Sequence, residues 1–475
     1  MPVDTLGRKF AISRIPQAAS GATPAYQNPT AAANGAFVDL TVSDENIADF
    51  GTKTVDNAGY STGSDIPNDQ YTESHDVTVQ HQMRMDSEMM GRVHLGTFGQ
   101  IVTTQPDAVN VPAAYKHVST PLDPASSRQL PPFSYLEYLG PQHDVLFPSC
   151  IFQQMELSGD DLDRINLGIT LRGSGKRISP SGVTFSSAHV TKRSGLKYWM
   201  NTQKRIILSD PATLLNNYDP ACDLLNFKLS YNNNPVAEDG YLPGCLKYQD
   251  DNDPESGAVR SELLFGARSI VPSLLARMSE KDYYDLQKRQ VRLDWLIELF
   301  GPKIGSGFTV ANPGAAPTLS DANSGGSIPA GTYYVVFAYV NAWGETIKSA
   351  EATITIASGT ANTITVTAAV LPTGATGIRV YIGTATGVHK YAGSSATNAL
   401  TLTALPTSGV SAPTVNRTTA RHKATYRGHF VSIATVNPQV RNGIVLLDIT
   451  PKILRDSSGN TITAEVINET ASYLS

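Results

Sequence analysis

Cysteine, charged and aromatic residues are all scarce in this chain of 475 residues, at three residues, 17% and 8% respectively. Cys150, Cys222 and Cys245 are far apart and odd in number, which argues against a disulfide framework and a structural zinc site. We expect three buried or half-buried thiols instead. No run of eighteen apolar residues occurs, so the sequence excludes a membrane-spanning helix. The first residues lack the apolar segment of a secretion signal, so export is not expected.

Neither sign of charge dominates. Lysine and arginine total 37, aspartate and glutamate total 42, and the net charge is −5. A protein that grips nucleic acid by neutralising phosphates needs an excess of basic side chains, so this balance argues against that class. It leaves open a protein that nucleic acid slides past.

Glycine and proline are frequent, with 38 and 29 residues, which predicts many turns and short strands and a mainly-β fold. The clearest strand spans 75–85, where apolar and polar side chains alternate. Asp86 is a suitable helix cap, and the apolar spacing that follows predicts a helix over 86–97.

The same alternation predicts further strands at 146–157, 165–171, 224–231, 258–265, 269–277, 291–299, 426–436, 443–454 and 461–468. A capping-box pattern at 279–282 predicts a second short helix over 280–289.

Composition changes abruptly over residues 312–416, where only six charged side chains occur in 105 residues. Short alternating runs separated by glycine and proline turns predict a β-sandwich of immunoglobulin or fibronectin type III size. Because the earlier strand pattern resumes afterwards, this sandwich is predicted to be inserted into another domain.

Two stretches of similar length remain when the insertion is set aside, and they share one order of elements. We interpret them as a diverged tandem duplication, with the first copy at 37–185 and the second at 186–311 and 417–475. Residues 1–36 are small, polar and nearly uncharged from Pro16 onwards, and they are predicted to form an N-terminal arm with little core.

Motifs for chemistry are weak throughout, and the sequence predicts no catalytic, cofactor-binding or metal-binding residue and no enzyme. The glycine-rich run 173–176 lacks the spacing and helix of a phosphate loop. The acidic run 251–255 lacks the glycine and flanking helices of a calcium loop. His75, His81 and His94 lack metal-ligand spacing, so packed or hydrogen-bonded histidines are expected.

Three runs together resemble the major tail tube proteins of tailed bacteriophages: TGSDIPNDQYTESHDVTVQHQMRMDSEMMGRVHLGTFG (62–99), LFPSCIFQQMELSGDDLDRINLGITLRGSG (146–175) and GIVLLDITPKILRDSSGNTITAEVINE (443–469). In addition, AGTYYVVFAYVNAWGETIKSAEATITI (330–356) resembles the Ig-like or fibronectin-like domains that decorate phage tails and capsids. The resemblance implies tandem tail-tube β-sandwich or half-barrel domains, each with a short helix, and an inserted Ig-like β-sandwich.

The resemblance also implies a structural protein of the virion, assembled in the host cytoplasm, whose rings stack into a tube that conducts genomic double-stranded DNA during ejection. Because such rings are hexameric with one tube domain per chain, two domains per chain imply trimeric rings with pseudo-sixfold symmetry. Implied partners are other copies of the chain, the tape measure, terminator and distal tail proteins, and weakly bound host surface glycans. Arg84 and Arg92 are expected at an interface.

Two other functions stay open. A tail-associated adhesin or carbohydrate-binding protein could use the aromatic residues of the sandwich as a stacking surface, namely Tyr333, Tyr334, Tyr339, Trp343 and Tyr381. A glycoside hydrolase carrying a fibronectin-like module is the second alternative, but the chain has only three tryptophans with which to line a cleft.

Overall fold

A computed structural model describes most of the chain, namely residues 8–20, 25, 28–44, 46–57, 69–140, 144–160, 163–179, 182–183, 185, 188–209, 224–236, 258–278, 283–290, 292–406, 411–441, 443–455, 459 and 461–474. Strands hold 53% of the residues and helices 6%, which confirms the predicted mainly-β class.

Twelve strands and the first helix precede residue 233: β1 (Lys9–Ser13), β2 (Phe37–Asp39), β3 (Asp49–Asn57), β4 (Asp69–Arg84), α1 (Ser87–Phe98), β5 (Val102–Thr104), β6 (Tyr115–Ser119), β7 (Phe133–Tyr138), β8 (Asp144–Gly159), β9 (Asn166–Gly173), β10 (Val190–Thr191), β11 (Lys204–Ser209) and β12 (Leu224–Asn232).

The remaining elements are β13 (Pro235–Val236), β14 (Leu264–Phe265), β15 (Ser269–Arg277), α2 (Tyr283–Lys288), β16 (Leu293–Lys303), β17 (Thr318–Ala322), β18 (Gly331–Val340), β19 (Ala352–Ile356), β20 (Thr363–Thr367), β21 (Gly377–Ala385), β22 (Val388–Ser395), β23 (Ala399–Leu402), β24 (Arg421–Arg441), β25 (Ile444–Ile453) and β26 (Ile462–Asn468).

Eight antiparallel strands form the centre of a seventeen-stranded sheet system, in the order β3–β4–β9–β8–β12–β15–β25–β24. The row divides into a first unit, β3–β4–β9–β8, and a second unit, β12–β15–β25–β24. In both units the chain runs through the first two strands, then a helix, then a hairpin whose later strand returns beside the second strand. The two units therefore have one connectivity, although a common origin by duplication stays a prediction.

Helix α1 is the centre of the main core. It contacts β8 on one side and β26, β6 and β24 on the other, and of its residues only Glu88 is not buried. Two glycines allow this packing, because a Cβ atom on Gly91 would lie 2.0 Å from the Tyr473 ring and one on Gly96 would lie 2.1 Å from the Phe152 ring. The helix is thus held between two sheet layers by direct ring-to-backbone contact.

The predicted helix start is confirmed and is part of a buried ion-pair network. The Asp86 carboxylate accepts hydrogen bonds from the backbone N–H groups of Glu88 and Met89, at 3.1 and 2.9 Å. Arg193, whose side chain is 1% exposed, donates to both oxygens of that carboxylate and also pairs with Asp39. Removing one partner would leave a buried charge unpaired, which costs stability. The network therefore holds the first turn of α1 in place.

The inserted region forms two sheets over one core of its own. The three-stranded sheet β17–β20–β23 packs on the four-stranded sheet β19–β18–β21–β22, and side chains from both layers share one apolar cluster. The chain enters and leaves the sandwich along two adjacent segments, where the Thr309 and Thr419 hydroxyls lie 2.6 Å apart and Thr418 accepts from the Val310 N–H. Trp343 of the sandwich packs on a small apolar cluster of the main sheet system.

Most strands predicted from alternation are confirmed, including 75–85, 224–231 and 269–277, but two expectations differ and a third is not tested. Lys9–Ser13 lies inside the predicted arm 1–36 and yet is a strand with a buried apolar face, so the arm prediction does not hold there. Of the predicted strand 258–265, only Leu264–Phe265 is one. The capping box at 279–282 lies outside the described residues.

Replacing Gly96 with alanine should lower the free energy of unfolding by about 2 kcal/mol or more, because the added methyl group must displace the Phe152 ring. Alanine's higher helix propensity offsets only part of this cost. The matched control is Gly51→Ala, since nothing lies within 4 Å of a Cβ atom there. Chemical denaturation of both variants checks this, and equal stabilities would contradict the packing described for α1.

Candidate assembly surface

The row of eight strands ends in two edges that have no second strand neighbour among the described residues. At one end, β3 pairs with β4 as its one strand neighbour among the described residues, and we call residues 46–51, which include the segment just before β3, the first edge. At the other end, the last part of β24 pairs with β25 alone, and we call residues 435–441 the last edge. Edges of this kind present backbone N–H and C=O groups that can pair with another chain.

The first edge is fastened to the core by buried polar groups. Asp44, just before it, contacts His81 at 3.0 Å, and His81 contacts the Tyr135 hydroxyl at 2.8 Å. Glu137 of β7 accepts a hydrogen bond from the Ala48 N–H at 3.3 Å. These contacts hold the edge in place from behind, so its outer side is presented in a fixed geometry.

Burial changes the acidity of two of these groups. It raises the pKa of Glu137 to about 7, which the Ala48 hydrogen bond and the charges of Arg8 and Arg177 only partly oppose. Burial also lowers the pKa of His81, although the Asp44 carboxylate works in the opposite direction. Near neutral pH, the Glu137 carboxyl is therefore present in both its protonated and its ionised form, whereas the His81 imidazole is uncharged.

The last edge belongs to a hairpin that extends beyond the main core. Its end exposes apolar side chains, with Val440 at 75% and Ile444 and Val445 also exposed. Met278 lies beside this hairpin, donating its backbone N–H to Val445, and its side chain is exposed as well. Exposed apolar side chains grouped at one end of a sheet favour contact with another surface, so this part of the molecule would be stabilised by being covered.

One junction inside the chain shows how two units can join. Strand β8 ends the first unit and pairs antiparallel with β12, which begins the second, from Gln154 opposite Asn232 to Gly159 opposite Phe227. The contact includes a side-chain ladder, since Gln154 donates to the Ser230 hydroxyl at 3.2 Å. The two units thus share one uninterrupted sheet.

On the four neighbouring strands β4, β9, β8 and β12, the face of the sheet that points away from α1 is polar and mostly uncharged. We call it the polar face, and its members include Thr78, Gln80, Gln82, Gln154, Asn166, Thr170, Ser230 and Asn232. Side chains between them alternate to the buried side, as the sequence predicts for 75–85. A neutral polar surface offers hydrogen bonds to water without a strong field for ions.

Several charges on the polar face are paired with the opposite sign. Lys228 lies 2.9 Å from Glu156 across the β8–β12 junction. In the middle of β4, Asp76 pairs with both Arg172 and Arg260. Burial alone would raise the pKa of Asp76, but the two guanidinium groups outweigh it and hold that pKa below its usual value. These pairs leave little net charge on this part of the face.

The three histidines of the sequence analysis do not converge. His75 stacks on Phe50, His81 contacts Asp44, and His94 contacts the Tyr426 hydroxyl at 2.9 Å inside the core. Across the described residues, no group of three or more His, Cys, Asp or Glu side chains could hold a metal ion.

The other candidate motifs that the structure describes have structural roles. Ser174 in the glycine-rich run donates to the Pro148 carbonyl at 3.4 Å and accepts from the Lys176 N–H, which closes a turn. Cys150 is buried, as expected of a thiol here. The acidic run 251–255, Cys222 and Cys245 lie outside the described residues.

Of the two arginines expected at an interface, one is contradicted by the structure and the other stays a prediction. Arg92 is an interior residue that pairs with Glu88 and donates to the Arg14 carbonyl, so its predicted place at an interface is wrong. Arg84 does reach the surface, where it pairs with Asp163 at 3.0 Å.

Sequence reasoning missed three groups that position these surfaces, namely Arg193, Asn468 and Glu137. Asn468 donates to the Ser87 carbonyl at 2.6 Å and so fixes the first turn of α1 from a strand 381 residues away in the chain. The alternation of β26 marks it as a strand, but no local signal reveals such a distant partner.

Comparisons with known proteins give no identification. No model of a known protein family matches the chain. No curated protein matches it either. The fold and its surfaces are therefore the basis for any functional conclusion.

Among the described residues, no helix has the length and apolar character required to cross a membrane.

Replacing Glu137 with glutamine should remove a pH dependence of stability. Below pH 4.5 the side chain is protonated in both states, but between about 4.5 and 7 the unfolded chain ionises while the folded protein keeps the proton. Wild-type unfolding free energy should therefore fall as the pH rises across this window, by up to about 3 kcal/mol.

The Glu137→Gln variant should lose this part of the decline, while Glu262→Gln at an exposed position should keep it. Denaturant unfolding at about pH 5 and pH 8 measures both. Parallel curves for the wild type and the Glu137→Gln variant would contradict a buried, proton-exchanging carboxyl behind the first edge.

Proposed function

We propose that this chain is a structural protein of a bacteriophage tail tube, whose copies form stacked rings around a channel for genomic DNA. The observation that carries the proposal is the row of two four-stranded units with one connectivity, ending in two unpaired edges. An open sheet of this kind is completed when neighbouring copies add strands at both ends. The resemblance of 62–99, 146–175 and 443–469 to tail tube proteins supports the same conclusion.

Two units per chain favour three chains per ring. If each unit takes the place of one single-domain subunit, three chains supply six units with pseudo-sixfold symmetry. The contact between copies is head-to-tail, since the first edge and the last edge are different surfaces, and such contacts close into a ring when the rotation allows.

The polar face is suited to line the channel. Duplex DNA is densely charged, so a basic lining would bind it and an uncharged lining would let it slide. Amide and hydroxyl side chains dominate this face, and the Glu156–Lys228 pair neutralises itself. In this arrangement the DNA passes without specific binding, and α1 lies on the outer side of the sheet.

The inserted sandwich would then project outward, because its junction lies beside β16 and β24 and not on the polar face. Its place outside the tube leaves it available for weak contact with host surface glycans. The remaining proposed partners are the tape measure, terminator and distal tail proteins, with the virion tail as the location.

The carbohydrate-binding alternative has less support. Tyr333, Tyr339 and Tyr381 are buried within the sandwich, and Trp343 packs against the main sheet system. Only Tyr334 of the five aromatic residues is left at the surface without such a role, and it is half-buried. A stacking platform needs exposed, adjacent rings.

Purified protein at rising concentration should form rings and then tubes visible by electron microscopy. Native mass spectrometry of single rings should give the mass of three chains. A ring of six chains would contradict the assignment of two ring positions to each chain, and protein that stays monomeric at every concentration would contradict the assembly itself.

Lysines placed on the polar face should slow DNA ejection without preventing tube assembly. The variant combines Gln80→Lys, Gln82→Lys and Gln154→Lys, which adds positive charge where phosphates would pass. The control carries lysines at Thr318, Thr353 and Thr401, which are exposed on the sandwich. Equal ejection rates for the two sets of virions would contradict a channel lined by the polar face.

A further inference from the structure

We propose that the last edge of one copy pairs antiparallel with the first edge of a second copy, in the register that β8 and β12 already use within the chain. This inference rests on the proposed function, and it adds which strands meet and which residues lie opposite one another. The partner is a second copy of the same chain.

The register follows from matching the two units residue by residue. In each unit the second strand ends in the same dipeptide just before its helix, Arg84–Met85 in the first and Arg277–Met278 in the second. Each arginine also occupies the same place across the sheet, because Arg84 lies opposite Asn166 in β9 and Arg277 opposite Leu446 in β25.

The same matching can be followed through the hairpin of each unit to its outer strand, β8 in the first unit and β24 in the second. Asn166 lies opposite Ser158 of β8, and Leu446 lies opposite Gln439 of β24. Ser158 therefore corresponds to Gln439. Two residues further from the hairpin end, Glu156 corresponds to Asn437.

The first strands of the two units can be matched in the same way, by counting back from the arginine of the second strand. Thr78, six residues before Arg84, lies opposite Asp49 of β3. Val271, six residues before Arg277, lies opposite Ser230 of β12. Asp49 of the first edge therefore corresponds to Ser230.

Within the chain, Glu156 lies directly opposite Ser230. The corresponding pair between two copies is Asn437 opposite Asp49, followed by Val436 opposite Phe50. The directions of the side chains agree with this register. Asn437 and Asp49 are both exposed. Val436 is buried, and Phe50 packs against the core.

The chemistry of the two edges is complementary in this register. The Asn437 amide can donate to the Asp49 carboxylate across the new strand pair, as polar side chains do across β8 and β12. Ile47, which is 50% exposed on the first edge, falls opposite Gln439, while the exposed Val440 falls opposite Asn46 on the other face of the same strand pair. Pairing thus removes apolar surface from water on both copies.

Cysteine cross-linking tests the register directly. One variant carries Asn437→Cys and a second carries Asp49→Cys, and the two proteins are mixed, assembled and oxidised. Directly opposite residues have Cα atoms about 4.5–5.5 Å apart, which a disulfide can span. Gel electrophoresis without reductant should show dimers, and a single chain carrying both changes should give closed trimers.

In the matched control, the second variant carries Gly51→Cys in place of the Asp49 change. This moves one cysteine by two residues along the same face, so that the two sulfur atoms are too far apart to form a disulfide. Wild-type protein under the same oxidation accounts for the native thiols. Strong cross-linking of the first pair and little of the shifted pair supports the inference.

Rings that are visible by electron microscopy but cross-link only in the shifted combination, or in neither, overturn this register and leave the proposed ring intact. Absence of rings for the wild-type protein overturns the proposed function and this inference together. Both variants are placed at exposed positions of the edges, so circular dichroism should first show that each folds like the wild type.

Discussion

The hydrogen-bonding demand of backbone groups at a sheet edge is the constraint on which this structure depends. Eight strands run side by side from the first edge to the last, and every inner strand is paired on both sides. At the two ends of this row, β3 and the last part of β24 present N–H and C=O groups without a second strand neighbour among the described residues. Such ends can pair with another chain, and this is the basis of the proposed assembly.

The interior explains why the ends stay rigid enough to pair. Helix α1 fills the space behind the first unit, with Gly91 and Gly96 admitting aromatic rings against its backbone. Asp86 and Arg193 fix its start, and Asn468 fixes its first turn from a distant strand. On β4, β9, β8 and β12 the apolar side chains face this core, so the opposite side of these strands carries mostly amide and hydroxyl groups. That polarity is what the proposed DNA channel requires.

Patterns within short stretches of the sequence predicted individual strands and helices well. The alternation of apolar and polar side chains in a strand, and the capping residue of a helix, depend only on residues close together in the chain. The strand at 75–85, the Asp86 cap and the low-charge sandwich are examples. The 258–265 prediction was wrong for most of its length, since alternation there is not matched by a partner strand. Pairings such as β8 with β12, and the Asn468 contact, join residues far apart in the chain and have no local signal.

Amide hydrogen exchange at the two edges tests the central claim most directly. Residues 46–51 and 435–441 should exchange quickly in dilute monomer wherever their N–H groups point outward, and slowly in assembled tubes. Inner strands such as β9 should be protected in both states and serve as the internal reference. Edge amides that exchange equally fast in monomer and tube, or that are already protected in the monomer, would contradict a sheet completed by its neighbours.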